Sequence, residues 1–391
     1  MNTSQIHSGT KRHVTIVSAS VGAGHDGAAS ELARRLREAG FTVDRHDFLD
    51  LLPASLGRLL RQSYALQLRA APESWERLFT ALDRRRNLAA AVRALSGLAA
   101  RRLARTAADS DVVVSTYPLA SQALGRLRRR GALRVPVVTY LTDLSVHPLW
   151  IADGVDAHLA LHATTAAQAR RLGAADVRVC APAVRPGFRP PSSVLERQVA
   201  RLHFGLPDDD RLALVVAGSW GAGDVAATVR DVAASGLVTP VVVCGRNTAL
   251  REELAGSGVG VPLGWVDDMP ALMRACDVVV QNAGGLSSLE ALASGLPVLS
   301  YRCLPGHGRT NAAALEEAGW APWARRPDEL PEALFAALTG PRMMGSPGTT
   351  DPAAIVAALA AGRSGAVTGR DAAVTERPAS KELTETMEAT R

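Results

Sequence analysis

Two stretches of this 391-residue chain carry polar residues at spacings that suit chemistry. The first is Ser18-Ala-Ser-Val-Gly22-Ala-Gly24-His25-Asp26-Gly27, where an imidazole follows two glycines at the start of a helical pattern. The positive end of a helix favours a neutral imidazole, which can take a proton from a hydroxyl. The second is Val278-Val-Val-Gln-Asn-Ala-Gly284-Gly285-Leu-Ser287-Ser288-Leu-Glu290. An apolar run, a glycine turn and leucines at helical spacing read as strand, turn and helix. Glycines there let a ligand approach the backbone, and the helix start offers free N–H groups to a diphosphate. Ser287 and Ser288 add hydroxyl donors, and Glu290, one turn in, can accept from ribose hydroxyls. Either stretch alone is also compatible with an ordinary βαβ turn and a capping side chain.

The elements that position these residues alternate along the whole chain. Strand-like runs at His13–Ser18, Phe41–Phe48, Val112–Ser115, Val135–Leu141, His158–Leu161 and Val177–Cys180 are separated by helical patterns. A proline-rich segment near residue 190 then divides the chain. The alternation restarts at Leu212–Ala217, Val241–Cys244, Val278–Val280 and Pro297–Tyr301. The expected class is α/β, with an N-terminal domain over 1–190, a second over 191–340, and a largely disordered, Gly/Ala/Thr/Ser-rich tail over 341–391 that holds one helix-like run at Pro352–Ala361. Polar residues directly after strands, such as Thr142-Asp143-Leu144, belong to the carboxyl edge of a parallel sheet, where doubly wound folds bind ligands.

Composition narrows the classes. Residues 1–190 hold 27 basic and 15 acidic side chains, and residues 191–391 hold 17 and 23. A basic first half suits an anionic partner. Residues 54–105 carry eleven arginines on amphipathic patterns, which fits an anionic membrane surface; nucleic acid is disfavoured because aromatics are few and no nucleic-acid module is present. The four cysteines are scattered without a CxxC pair, so buried free thiols are expected and no metal site. Asp208-Asp209-Asp210 reads as a solvated turn. Met1–Arg12 is polar, no signal peptide is read, and no run approaches a membrane span, so a cytoplasmic, membrane-peripheral protein is expected. Gly22, Gly24 and Gly27 match G-x-G-x-x-G, but the acidic partner of a dinucleotide site is ambiguous among Asp44, Asp47 and Asp50.

Taken in order, the motifs resemble glycosyltransferase family 28, closest in pattern to the monogalactosyldiacylglycerol synthases and the bacterial processive diacylglycerol glucosyltransferases. The similarity covers about residues 12–330. It rests on Gly22-Ala-Gly24-His25, Thr142-Asp143-Leu144 with His147-Pro148 and Trp150, Cys244-Gly245-Arg246-Asn247, Val266–Met273, and Gly284-Gly285-Leu-Ser-Ser-Leu-Glu290-Ala. The resemblance implies a GT-B fold, two Rossmann-like domains facing a cleft. It implies inverting transfer of a hexose from a UDP-sugar to a diacylglycerol-like lipid, without a cofactor or metal. His25 or Asp143 would be the base, with Asp143 able instead to orient His25. Gly22, Gly24, His147 and Trp150 would flank the acceptor. Gly218, Gly221, Gly223, Arg246, Val266, Met269, Gly284, Gly285, Ser287, Ser288, Glu290, His307 and Asn311 would hold the donor. The pattern departs at Pro305-Gly-His307-Gly308-Arg-Thr-Asn311, where the family has Gln-Glu, and this opens the identity of the sugar. Other acceptors (polyprenyl-linked lipids or small natural products) and a UDP-sugar epimerase of the same fold are the alternatives.

Overall fold

The computed structural model describes residues 12–70, 92, 94–217, 222–340 and 348–362, excluding the side chains of Ala23, Ala54 and residues 64–70. Within that range the chain forms two six-stranded sheets, every strand pair parallel.

The first sheet runs β2-β1-β3-β4-β5-β6, with β1 at His13–Ser18, β2 at Thr42–Asp47, β3 at Val112–Ser115, β4 at Val137–Tyr140, β5 at Ala157–Ala160 and β6 at Val177–Val179. Strand order reverses between β1 and β3, which opens a crevice at their carboxyl ends. The second sheet runs β12-β11-β10-β7-β8-β9, with β7 at Leu212–Val216, β8 at Thr239–Val243, β9 at Val261–Leu263, β10 at Val278–Gln281, β11 at Val298–Tyr301 and β12 at Trp323–Ala324. Its reversal lies between β7 and β10. The buried strands are near-continuous apolar runs because helices cover both faces of each sheet.

Four helices matter for the site. Helix α1 (Ala23–Glu38) follows β1 and buries Ala29, Leu32 and Leu36. Helix α2 (Leu286–Ala293) follows β10, and α3 (His307–Glu317) follows β11. A last helix, α4 (Pro352–Ala360), is capped by Asp351 and buries Ile355 and Val356 in the core shared with α1. Arg35 of α1 pairs with Asp351 at 3.1 Å, and Thr350 accepts from the Ala181 amide at 2.8 Å. Composition grouped this stretch with a tail; its apolar residues instead return to the first sheet.

One buried apolar cluster includes Leu32, Val114 and Tyr140 of the first half and Val279, Leu289 and Leu315 of the second. The two sheets thus face each other across a cleft with continuous packing at its base.

Candidate active site

His25 sits in the first turn of α1, at the switch point of the first sheet. Its Nδ1 lies 2.7 Å from the Thr116 carbonyl oxygen, just past β3, and 3.0 Å from the Thr142 hydroxyl, just past β4. A carbonyl oxygen only accepts, so Nδ1 carries a proton, and in the neutral imidazole Nε2 is the nitrogen with the lone pair. Nε2 has no hydrogen-bond partner among the described residues. The ring is steadied by Tyr117, edge-on at 5.4 Å, and by Trp150 at 5.9 Å. An imidazole held in this tautomer can accept a proton at Nε2.

Asp143 takes another place. It accepts from Trp150 Nε1 at 3.2 Å, and Asn311 Nδ2 lies 3.5 Å from its other oxygen. The groups that orient His25 are the Thr116 carbonyl and the Thr142 hydroxyl, and Asp143 is bonded elsewhere. Trp150, read from sequence as an acceptor contact, is 2% exposed and works from behind, holding Asp143 and flanking His25. His147 caps the short turn Pro148–Trp150 by accepting the Leu149 amide at 3.2 Å.

The second half supplies a wall of turns. Gly284 adopts φ 71°, and Gln281 Oε1 accepts the amides of Ala283 (2.8 Å) and Gly284. This locked turn aims the start of α2 at the cleft, where its free N–H groups and dipole suit an anion. Ser288 is fully buried and its hydroxyl finds no partner among the described residues. Arg246 lies 4.8 Å over the ring of Trp265, which donates to Asp267 at 2.8 Å. Val266 and Met269 pack on the core beside them. Gly223 is described, with φ 93°, while Gly218 and Gly221 lie outside the described residues. Gly22, Gly285 and Ser287 stand at the two helix starts.

Both halves meet here. Gly27 faces Leu286 so closely that a Cβ would stand 2.4 Å from the leucine Cδ2, so the glycine makes room for α2 against α1. Asn311 is fully buried; its oxygen accepts from the Ser145 amide (3.0 Å) and hydroxyl (2.8 Å), and its amide donates to the Ala283 carbonyl at 3.3 Å. Read from sequence as a donor-binding residue, Asn311 in this arrangement bolts the 143–145 segment to α3. His307, in the first turn of α3, has its pKa lowered chiefly by burial, against the opposing pull of Asp143. Thr116 and Ser145 were not singled out from sequence, and Thr142 and Gln281 were named only as members of their motifs, with no role given. Their only signal there is position, directly after an apolar strand.

Burial pushes the Glu290 carboxyl up to about 7, with Arg185 opposing the shift. The native state thus favours the protonated form. Its stabilising share is complete below pH 4.5 and is lost as pH rises through 7. Glu290→Gln should therefore melt close to the wild type at pH 5 and above it at pH 8. An equal offset at both pH values in thermal melts would remove the titration of Glu290 from the account.

Residues 25–181 match the family model described as monogalactosyldiacylglycerol (MGDG) synthase, and residues 214–339 match glycosyl transferases group 1. The processive diacylglycerol beta-glucosyltransferase of Bacillus subtilis is 27% identical over 240 residues, 58% of this chain and 60% of that protein. The match therefore spans less than two thirds of such relatives. Among solved structures, Anabaena HepE in complex with UDP-glucose superposes with a TM-score of 0.53 at 15% identity, covering 90% of this chain and 95% of that one. Acinetobacter baumannii MurG gives 0.50 at 17% identity, covering 89% and 93%. The chain therefore has the GT-B fold, with a first half similar to the MGDG synthases and a second half similar to the group 1 glycosyl transferases.

Proposed function

We propose that the protein transfers a hexose from a UDP-sugar to the hydroxyl of a diacylglycerol-like lipid, with inversion at the anomeric carbon. The observation that carries this reading is His25 at the first switch point, its Nδ1 proton committed to the Thr116 carbonyl. Its Nε2 is left to act opposite the start of α2 at the second switch point. The named activity of the Bacillus relatives and the UDP-glucose held by HepE support the choice of substrates.

In the proposed step the acceptor hydroxyl gives its proton to His25 Nε2 as its oxygen attacks the anomeric carbon. A new C–O bond forms there, and the bond from that carbon to the β-phosphate oxygen breaks on the opposite face. The electron pair leaves with UDP, whose charge is met by N–H groups at the start of α2. No metal ion enters this step. Calorimetry with UDP tests the donor side. The wild type should bind, and at pH 8, where the Glu290 carboxyl is ionised, Glu290→Ala should lose on the order of 1.5–3 kcal/mol through a missing charge-assisted bond to ribose. Undiminished affinity in the variant would make Glu290 a packing residue.

The lipid reading also asks for a membrane-facing surface. No helix among the described residues is long and apolar enough to cross a bilayer. Leu59 and Leu98 are 59% and 54% exposed, and Arg101 and Arg105 are exposed on the helix just after Leu98. Arg61 is less suited, because Asp47 and Asp50 both pair with it at 3.0 Å; the side chain of Arg69 lies outside the described residues. Arg101→Gln with Arg105→Gln should reduce sedimentation with anionic vesicles at low salt while leaving UDP affinity unchanged. A wild type that ignores such vesicles would contradict the membrane-surface reading.

A further inference from the structure

Asn282 stands at the end of β10, the strand between β7 and β11, where three turns of the donor wall come together. Its side-chain Nδ2 donates to the Ala222 carbonyl at 2.7 Å, just before Gly223. Its backbone oxygen accepts the Leu304 amide at 2.8 Å, in the turn after β11. The packing around it is close: a Cβ on Gly223 would stand 2.9 Å from its Nδ2, and one on Gly308 would stand 2.8 Å from its backbone oxygen. Asn282 is 7% exposed, and its Oδ1 is buried with no partner among the described residues. The donation to Ala222 fixes which amide atom is oxygen, since a carbonyl can only accept. A buried, unpaired acceptor is costly in a finished structure, which points to a partner that arrives with the ligand.

We infer that Asn282 is a positioning residue of the donor site. Its amide holds Ala222 and the residues that follow it in place before the nucleotide arrives, and its free Oδ1 accepts a hydroxyl of the bound nucleotide sugar. Phosphate oxygens are themselves acceptors and do not fit Oδ1. The inference rests on the proposed donor, a UDP-sugar. A preorganised turn spares the ordering cost on binding, so losing the clasp should show as weaker binding more than as a lower melting point.

The test pairs a measurement on the free protein with one on the complex. In Asn282→Ala, hydrogen exchange at the amides of 222–224 should speed up without ligand while β7 and β10 stay protected. The Kd for UDP-glucose should rise roughly tenfold or more, as expected for a lost buried bond and its preorganisation, with melting within a few degrees of the wild type. Wild-type exchange at 222–224, or an unchanged Kd for UDP-glucose, would overturn the inference. Exchange that rises equally across the whole second sheet would overturn it too, by making Asn282 a general packing residue. If the alanine variant does not fold, Asn282→Asp takes its place. That variant keeps the shape and sets an oxygen against the Ala222 carbonyl, so it must show the same two changes, and wild-type behaviour in it would overturn the inference. A wild type that binds neither UDP nor UDP-glucose removes the proposed function instead, and the exchange comparison then still decides whether Asn282 holds the turn.

Discussion

His25→Ala is expected to lower kcat roughly 10²–10⁴-fold, the range for losing a positioned general base, with UDP affinity and melting temperature close to the wild type. The ring makes its Nδ1 bonds to the Thr116 carbonyl and the Thr142 hydroxyl at a half-buried helix start, not in the core. Removing it therefore takes away the Nε2 acceptor without opening a large cavity. Two companions assign the role. Thr142→Val keeps the Thr116 bond that sets the tautomer, so its loss should be the smaller one. Asp143→Asn keeps the shape of a residue that touches Trp150 and Asn311, and should cost less than His25→Ala. A greater loss at Asp143 than at His25, in turnover assays on one acceptor, would move the base to the carboxylate.

Gly284→Ala should be the most damaging single-methyl change on the donor side. The residue adopts φ 71°, a region that costs side-chain-bearing residues roughly 1–2 kcal/mol. The added Cβ would also stand 2.7 Å from the Cβ of Asn311. Asn311 cannot easily give way, because it is fully buried and bonded to Ser145 and Ala283. Strain and overpacking together should cost about 2–4 kcal/mol. Displacing Asn311 would also release the 143–145 segment from α3. The expected result is a lowered melting point together with weakened UDP binding. Wild-type melting and affinity would mean that the turn after β10 does not hold the two halves together.

Local pattern carried the elements well where strands are long and buried. The runs at His13–Ser18 and Val112–Ser115 coincide with β1 and β3, because apolar stretches bounded by polar residues leave little choice of register. Strands β9 and β12 were not foreseen. The first is three residues long with Pro262 at its centre and the second is two, too short for any period to show. The glycine turns and His25 were legible, since their residue types are unusual at strand ends. Their partners were not. Thr116 and Thr142 lie 91 and 117 residues from His25, and Ser145 lies 166 from Asn311. Only the strand orders bring these pairs together, through crossovers that no spacing along the chain encodes. Asp143 was left open as the base or as the group that orients His25, and here it bonds Trp150 and Asn311. The pairing with His25 was suggested by residue type, whereas the fold sets a main-chain carbonyl against the imidazole.

The central claim is that sugar leaves UDP and arrives on a lipid hydroxyl. Its most direct test is mass spectrometry of the lipid fraction after the purified protein is incubated with UDP-glucose and vesicles containing diacylglycerol, with the His25→Ala protein as control. UDP-galactose and UDP-N-acetylglucosamine are run beside it, because the Pro305–Asn311 segment leaves the sugar open. The account predicts a diacylglycerol species heavier by one sugar residue, formed with one UDP-sugar and strongly reduced in the control. UDP-sugar turned over with no gain of mass on any lipid, or a lipid product formed equally well by the control, would contradict it.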